Sequence, residues 1–125
     1  MVSIATKRIY EVPDPADGAR ILVDRLWPRG IKKDEAHLAS WNKDVAPSNE
    51  LRRWYGHQTP KWPEFRRRYL GELNANPAAA ELRQEIFDAT HKTQRVTLVY
   101  GAKDSERNNA VVLADFLRQR KADRA

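Results

Sequence analysis

Short apolar runs and longer amphipathic stretches follow one another along the chain. Residues 4–10 are rich in β-branched and aromatic side chains and end at a turn of Pro, Asp and Gly residues, which predicts a first strand. Residues 19–24 hold three apolar residues in a row, as is typical of a strand covered on both faces. Residues 96–100 have the same character and predict a late strand.

Between these strands the apolar residues recur at the spacing of a helix. Ser48 is a favourable N-cap for a helix that ends near Gly56, and Asn76 followed by proline predicts another helix start. Residues 34–45 fit either a helix or a strand, and we favour a short strand. Three helices have a clear apolar face, formed by Trp62, Phe65, Tyr69 and Leu73, by Leu82, Ile86 and Ala89, and by Val112, Leu113, Phe116 and Leu117.

The order of these elements predicts the fold class. Helices between about residues 48 and 90 separate early strands from a late strand, so the chain must cross over to form parallel neighbours. We therefore predict an α/β protein, a three-layer α/β/α domain around a small and at least partly parallel sheet. The 125 residues suffice for one such domain, with a basic, flexible tail from about residue 118 to 125.

Composition narrows the possible chemistry. The chain has no cysteine, which excludes disulfide bonds, thiolate metal sites and a cysteine nucleophile. Its histidines, His37, His57 and His91, do not form a metal-binding spacing, so we predict no metal and no cofactor. A formal net charge of +6 favours an anionic small molecule or a nucleic acid as partner. No apolar run reaches the ~20 residues that cross a bilayer, so we expect a cytoplasmic protein without a membrane partner.

The first candidate site follows the second predicted strand. A carboxylate, several cations and an aromatic ring crowd the exit of this strand, and they are Asp24, Arg25, Trp27 and Arg29. Arginine can hold a phosphate through two hydrogen bonds, and tryptophan can stack on a planar ring. Internal pairing of Asp24 with Arg25 or Arg29, which would only tie the loop to the sheet, is the alternative interpretation.

Two further candidates lie at other element ends. Tyr100 ends the late strand, and Lys103 and Asp104 follow near a predicted helix start, where backbone N–H groups bind anions. Asp104 as a plain helix cap is the alternative there. The third candidate is the Ser48 helix start with Arg52, Arg53 and His57, of which the histidine suits acid–base chemistry near neutral pH. A plain N-cap and a surface histidine are the alternatives for this group.

These motifs stand in an order that resembles the DUF488 family of uncharacterised proteins, in particular its short, YeaO-like bacterial branch. The resemblance rests on residues 22–30, 46–57, 62–73, 97–104 and 108–113, and therefore covers most of the chain. It implies a compact α/β domain and carries no assigned activity. In similar sequences a histidine often precedes the Asn of the last motif, and here that position is Arg107. This departure favours binding over catalysis.

We therefore expect a protein that binds a phosphate-bearing ligand, such as a nucleotide or a nucleic-acid end. If the protein is an enzyme, it would also process that ligand. The acid–base candidates are Asp24, Asp104 and His57. A domain without catalysis, which binds nucleic acid through residues 66–68 and 118–124 or binds another protein, is the alternative. The predicted ligand contacts are Arg25, Trp27, Arg29, Ser48, Arg52, Tyr100, Lys103 and Asn108.

Overall fold

The sheet consists of four parallel strands in a computed structural model that describes residues 3–89 and 95–119. β4 is central, because it pairs with β1 on one side and with β2 on the other, while β3 extends the sheet beyond β2. The predicted α/β class with a parallel sheet is confirmed. The strands are β1 (Ile4–Arg8), β2 (Ala19–Leu22), β3 (Ser40–Trp41) and β4 (Val96–Tyr100).

Helices follow the sequence pattern closely. The predicted N-caps are confirmed, since Ser48 Oγ accepts a hydrogen bond from the N–H of Leu51 at 3.1 Å and Asn76 Oδ1 accepts one from Ala78 at 2.9 Å. Gly56 ends its helix in the left-handed conformation, with a φ of 51°. The helices of the described residues are α1 (Lys33–Ala36), α2 (Asn49–Tyr55), α3 (Trp62–Asn74), α4 (Pro77–Ala89) and α5 (Asn109–Arg118).

The two faces of the sheet are covered unequally. On one face, Leu98 and Tyr100 of β4 join the main core, which is completed by the apolar sides of α2 to α5. On the other face, Leu22 and Val99 pack against Ala36 of α1 and the partly buried residues around it. The predicted three layers are therefore present, but one outer layer is a single helical turn with its neighbouring loops.

The region of ambiguous pattern, residues 34–45, contains both kinds of element. It begins within α1, continues as strand β3 and ends in a turn of 3₁₀ helix at Lys43–Val45. The predicted strand is present but only two residues long. Trp41 of this strand donates its indole N–H to the carbonyl oxygen of Asp24 at 2.7 Å and packs against Trp27, with ring centroids 5.3 Å apart. β3 thus ties the loop after β2 to the edge of the sheet.

The last helix begins later than the sequence suggests. A start near Asp104 is wrong, because α5 begins at Asn109 and has Asn108 as its N-cap. Asp104 instead accepts hydrogen bonds from the N–H groups of Glu106 and Arg107 at 2.9 and 3.0 Å and closes a turn. The connection between β4 and α5 is therefore a longer loop, with its own capped turn.

Buried charges lie beside the start of β2. Asp17 accepts hydrogen bonds from Arg20 Nη1 at 2.7 Å and from Lys7 Nζ at 3.2 Å, and Arg20 Nε donates to the carbonyl oxygen of Ala36 at 3.1 Å. Burial by itself raises the pKa of Asp17, but hydrogen bonds from the Asp14 N–H, Arg20 and Lys7 bring it below its ordinary value. This network connects β1, β2 and α1.

The carboxyl-terminal end is described only as far as residue 119. Arg118, where the basic tail is predicted to begin, is the last residue of α5, and its Nη2 donates to the carbonyl oxygen of Ile4 at 2.6 Å. The rest of the predicted tail, residues 120–125, lies outside the described residues. Within residues 3–89 and 95–119, no helix has the length and apolar character needed to cross a membrane.

Candidate functional site

A cavity of about 490 Å³ opens at the carboxyl edge of the sheet. Its walls come from the loops after β2 and β4, the end of α2 and the start of α5. Open parallel sheets usually bind their ligands at this edge. The volume falls within the range of roughly 300–1,000 Å³ that is typical of small-molecule pockets.

Asp24 lies directly beyond β2 and lines this cavity. Its Oδ2 accepts a hydrogen bond from the backbone N–H of Gly101 at 2.8 Å, and its Oδ1 accepts one from the side-chain amide of Asn109 at 3.1 Å. The same amide also donates to the carbonyl oxygen of Val23 at 3.1 Å. The ends of β2 and β4 and the start of α5 therefore hold the carboxylate in one orientation.

The surroundings of Asp24 are partly dehydrated. Burial raises the pKa of its carboxyl group above the ordinary value, and the two hydrogen bonds from Asn109 and Gly101 oppose this shift. The guanidinium of the next residue, Arg25, points elsewhere, and its Nη2 donates to backbone carbonyl oxygens of residues 46 and 47 at 3.3 Å. Across the described residues no salt bridge reaches Asp24, so the predicted alternative of a pair with Arg25 or Arg29 is not formed.

Positive charge is concentrated around the cavity. Four arginines and one carboxylate are among the described residues that line it. Arg52 and Arg53 are exposed near the end of α2, and their guanidinium groups contact Asn49 about one turn earlier. Arg107 is exposed in the loop before α5 and lies 3.5 Å from the carboxylate of Asp104. Exposed guanidinium groups of this kind can reorient to bind an added anion.

Aromatic side chains form the apolar part of the cavity. Tyr55 and Phe65 stack with ring centroids 4.5 Å apart and belong to the main core. Trp27 donates its indole N–H to the carbonyl oxygen of Ile31 at 2.7 Å, which holds its ring in place, and Tyr10 is half-exposed. Rigid aromatic surfaces next to cations suit a ligand that has a planar ring and a negative charge.

Residues 3–125 match the family model described as the inactive DUF488-N3 subclade. The chain belongs to this subclade. The DUF488 family that the sequence motifs indicate is thereby confirmed, with coverage of nearly the whole chain.

Proteins similar to this DUF488 member have no described activity in their names. The uncharacterized proteins Rv3073c of Mycobacterium tuberculosis and Mb3100c of Mycobacterium bovis are each 46% identical over 117 residues, which cover 94% of this chain and 95% of theirs. The uncharacterized protein YeaO of Escherichia coli is 43% identical over 117 residues, which cover 94% of this chain and 98% of YeaO. No protein of solved structure matches the chain.

Only some of the site residues predicted from these motifs line the cavity. Arg29 and Lys103 are exposed and are not among the lining residues, and Tyr100 is 2% exposed within the core. Lys103 lies in a loop because α5 starts later than predicted. Asp104 stays at the turn that it closes and does not line the cavity. The predicted site residues that do line the cavity are Asp24, Arg25, Trp27, Arg52, His57 and Asn108.

Ser48 lies apart from this cavity, in a smaller hollow between α2 and α3. Its Oγ donates to Oε2 of Glu72 at 2.6 Å while accepting from the N–H of Leu51, and its own N–H donates to Glu72 Oε1 at 2.9 Å. The hydroxyl therefore already has an acceptor partner in Glu72 and a donor partner in the N–H of Leu51. The arrangement is that of an N-cap supported by a carboxylate from the neighbouring helix.

His57 lines the cavity in an unusual backbone conformation. It follows Gly56, and both have positive φ, which is 57° for the histidine. Its side chain is exposed. Within the part of the chain that the structure describes, no group of three His, Asp or Glu side chains is placed to hold a metal ion.

Asn109 is a residue of the candidate site that the sequence analysis does not single out. Two consecutive asparagines precede the apolar residues of α5, and only one of them can cap the helix. Asn108 is that cap, whereas Asn109 reaches back to Asp24, 85 residues earlier in the chain. The paired asparagines are the signal that could have found it, although nothing local shows which carboxylate the second one meets.

Proposed function

We propose that this DUF488 protein binds a phosphate-bearing ligand of the nucleotide class in its cavity and releases it unchanged. The observation that carries the proposal is the set of four arginines against one carboxylate among the described lining residues, next to aromatic walls. Arginine binds phosphate through paired N–H donors, and aromatic faces accept a planar base. The formal net charge of +6 adds a field that attracts anions.

Three features support binding without catalysis. The matching subclade is described as inactive. The family resemblance implies a histidine where this chain has Arg107, and a guanidinium offers only donors, whereas an imidazole can both give and take a proton. Asp24 and Asp104 both accept backbone hydrogen bonds that hold loops in place. The proposal therefore assigns Asp24 to recognition of the ligand and Asp104 only to holding its loop.

Nonspecific nucleic-acid binding through residues 66–68 has less support. Arg66 pairs with Asp115 at 2.7 Å, and Arg67 and Arg68 both pair with Glu64. This run therefore carries less uncompensated positive charge than its sequence suggests. The other basic segment of that alternative is residues 118–124, and residues 120–124 of it lie outside the described residues.

Isothermal titration calorimetry of the full chain with GMP, AMP and ribose 5-phosphate tests the proposal. We expect binding of at least one of them, and we expect the double variant Arg52→Ala/Arg53→Ala to weaken it about tenfold or more, because hydrogen bonds to charged groups are lost. Arg67→Ala is the matched control, since Arg67 is an exposed helical arginine that does not line the cavity. Chromatography after prolonged incubation should recover the ligand intact.

Three results would overturn this function. One is the absence of binding for all three compounds, and another is conversion of the bound compound to a product. The third is an equal loss of affinity in the Arg67→Ala control, which would assign binding to the general basic surface. Single-stranded DNA binding could also weaken steeply with salt, equally in the wild type and in the double variant. That result would likewise assign binding to the general basic surface.

A further inference from the structure

Asp24 places an acceptor group in a cavity that otherwise attracts anions. A carboxylate offers about four acceptor sites on its two oxygens. Gly101 and Asn109 use one site on each oxygen, and no other described donor contacts them. A partly dehydrated carboxylate with unused acceptor sites is costly to leave without partners. A ligand with hydrogen-bond donors would satisfy those sites.

The same carboxylate repels phosphate, so the two ends of the ligand must differ in chemistry. The anionic end belongs with the exposed guanidinium groups of Arg52, Arg53 and Arg107. The end that meets Asp24 must carry N–H or O–H donors. Trp27 and Tyr55 also line the cavity, and their rings are apolar surfaces of the kind that a planar ring packs against.

Nucleobases differ in the donors that their edges present. The Watson–Crick edge of guanine presents two adjacent donors, N1–H and the 2-amino group, whereas adenine and cytosine present an amino group beside an acceptor nitrogen. Proteins that read a base outside a duplex use this edge. One free acceptor site on each oxygen of Asp24 matches two adjacent donors and no other arrangement on these bases.

We infer that the cavity selects a guanine nucleotide, with the Asp24 carboxylate accepting hydrogen bonds from N1–H and the 2-amino group of the base. The phosphate then lies with the arginines. This inference rests on the proposed function and adds the class of base. It also gives the hydrogen bonds from Gly101 and Asn109 a purpose, because they fix the direction in which Asp24 presents its free acceptor sites.

A ligand series on the wild-type protein tests the inference without any variant. Calorimetry with GMP, IMP, AMP and dGMP should give the tightest binding for GMP and dGMP, within about twofold of each other. IMP lacks the 2-amino group and should bind about tenfold more weakly, and AMP should bind more weakly still. Equal affinities for GMP, IMP and AMP would overturn the inference while leaving the proposed function intact. A tenfold loss for dGMP would also overturn it, since Asp24 would then bind the ribose diol.

The substitution Asp24→Asn supplies a second readout, which is the preference between two bases. A residue that only supports the fold would not change this preference. An asparagine side chain offers one acceptor and one donor, which matches the xanthine edge better than the guanine edge. We expect the preference for GMP over XMP in the wild type to reverse in this variant. The matched control is Asp104→Asn, which removes a carboxylate that does not line the cavity and should keep the preference for GMP.

The fold of the variant is checked independently. Asn109 and an asparagine at position 24 would bring two amide groups together, so circular dichroism and the thermal unfolding midpoint accompany each titration. A folded Asp24→Asn protein that still prefers GMP to XMP would overturn the inference. If that variant does not fold, the wild-type ligand series decides by itself. Failure of every nucleotide and of ribose 5-phosphate to bind would instead overturn the proposed function.

Discussion

The backbone N–H of Gly101 donates a hydrogen bond to the carboxylate of Asp24 at 2.8 Å, although the two residues are 77 positions apart in the chain. They meet because β2 and β4 are parallel neighbours and each residue follows its strand at the same edge of the sheet. A methyl group added at Gly101 would lie 3.1 Å from Oδ2 of Asp24 and 3.7 Å from Cβ of Pro28. A side chain at Gly101 would therefore crowd the carboxylate that the site orients.

Gly101→Ala is expected to displace the Asp24 carboxylate and weaken the binding of GMP about tenfold or more. Overpacking of this kind also lowers the free energy of unfolding, by about 1–3 kcal/mol. Calorimetry and urea denaturation measure the two effects. Unchanged affinity and stability in this variant would contradict the importance of the contact.

Gly71→Ala is the matched control for that substitution. Gly71 lies within α3, and an added Cβ there meets nothing within 4 Å. Alanine is the better helix former, so this variant should gain about 0.5–1 kcal/mol in the free energy of unfolding and bind GMP like the wild type. A loss of stability here would show that glycine replacement as such disturbs the fold.

Asp24 should make the fold less stable as the pH rises, which is the opposite of the usual behaviour of a carboxylate. Burial raises its pKa in the folded protein above the ordinary value of 3.8, so the folded state holds the proton more tightly than the unfolded chain. Its contribution to stability is present below pH ~4 and is lost as the pH rises through the folded pKa. Relative to Asp24→Asn, the wild type should lose about 1.4 kcal/mol for each unit by which the pKa is raised.

Urea denaturation between pH 3 and pH 8 measures this difference. Asp104→Asn is the control with the opposite sign, because backbone hydrogen bonds from Glu106 and Arg107 lower the pKa of Asp104. The contribution of Asp104 is present above its unfolded pKa and is lost as the pH falls through its folded pKa. Parallel profiles for the wild type and Asp24→Asn would contradict the raised pKa of Asp24.

The buried pair of Arg20 and Asp17 should carry a large share of the stability near β2. Arg20 is 3% exposed, and Arg20→Met would leave the Asp17 carboxylate with Lys7 as its remaining cation. We expect a loss of about 3–5 kcal/mol in the free energy of unfolding, as is usual when one partner of a buried pair is removed. Arg67→Met, which removes an exposed cation paired with Glu64, should cost far less, because water screens an exposed ion pair. Similar losses in both variants would contradict the burial of the first pair.

Ser48 is expected to matter for stability and not for the ligand. Ser48→Ala removes the cap of α2 and the bond to Glu72, and should lower the free energy of unfolding by about 1 kcal/mol. GMP affinity should change less than twofold, because Ser48 does not line the main cavity. The exposed Ser105 provides the control, and Ser105→Ala should change stability by less than about 0.5 kcal/mol. A large loss of GMP affinity in Ser48→Ala would contradict this prediction and show that the serine takes part in binding.

The candidate site could be predicted from the sequence where its residues follow one another in a single segment. Asp24, Arg25 and Trp27 follow directly on an apolar strand, and the end of a parallel strand is where ligands usually bind. The sequence predicts Lys103 near a helix start, whereas the structure has it in a loop. Asp104 can cap a turn as well as a helix, and the sequence does not distinguish the two uses. The sequence predicts a ligand contact at Ser48, because no local pattern shows that the Glu72 carboxylate, 24 residues away, takes its hydroxyl proton.

The sequence by itself determined the α/β class, both ends of α2 and the start of α4, and its motifs indicated the DUF488 family. The helix ends depend on interactions among residues three or four positions apart, such as the cap of Ser48 on Leu51, and the fold class depends on the apolar spacing of each element. Only the tertiary structure decided that Asn109 and Gly101 hold Asp24, and that Arg25 turns to backbone carbonyls instead. Such contacts join segments brought together by strand pairing, and no local pattern specifies which side chains will meet across them.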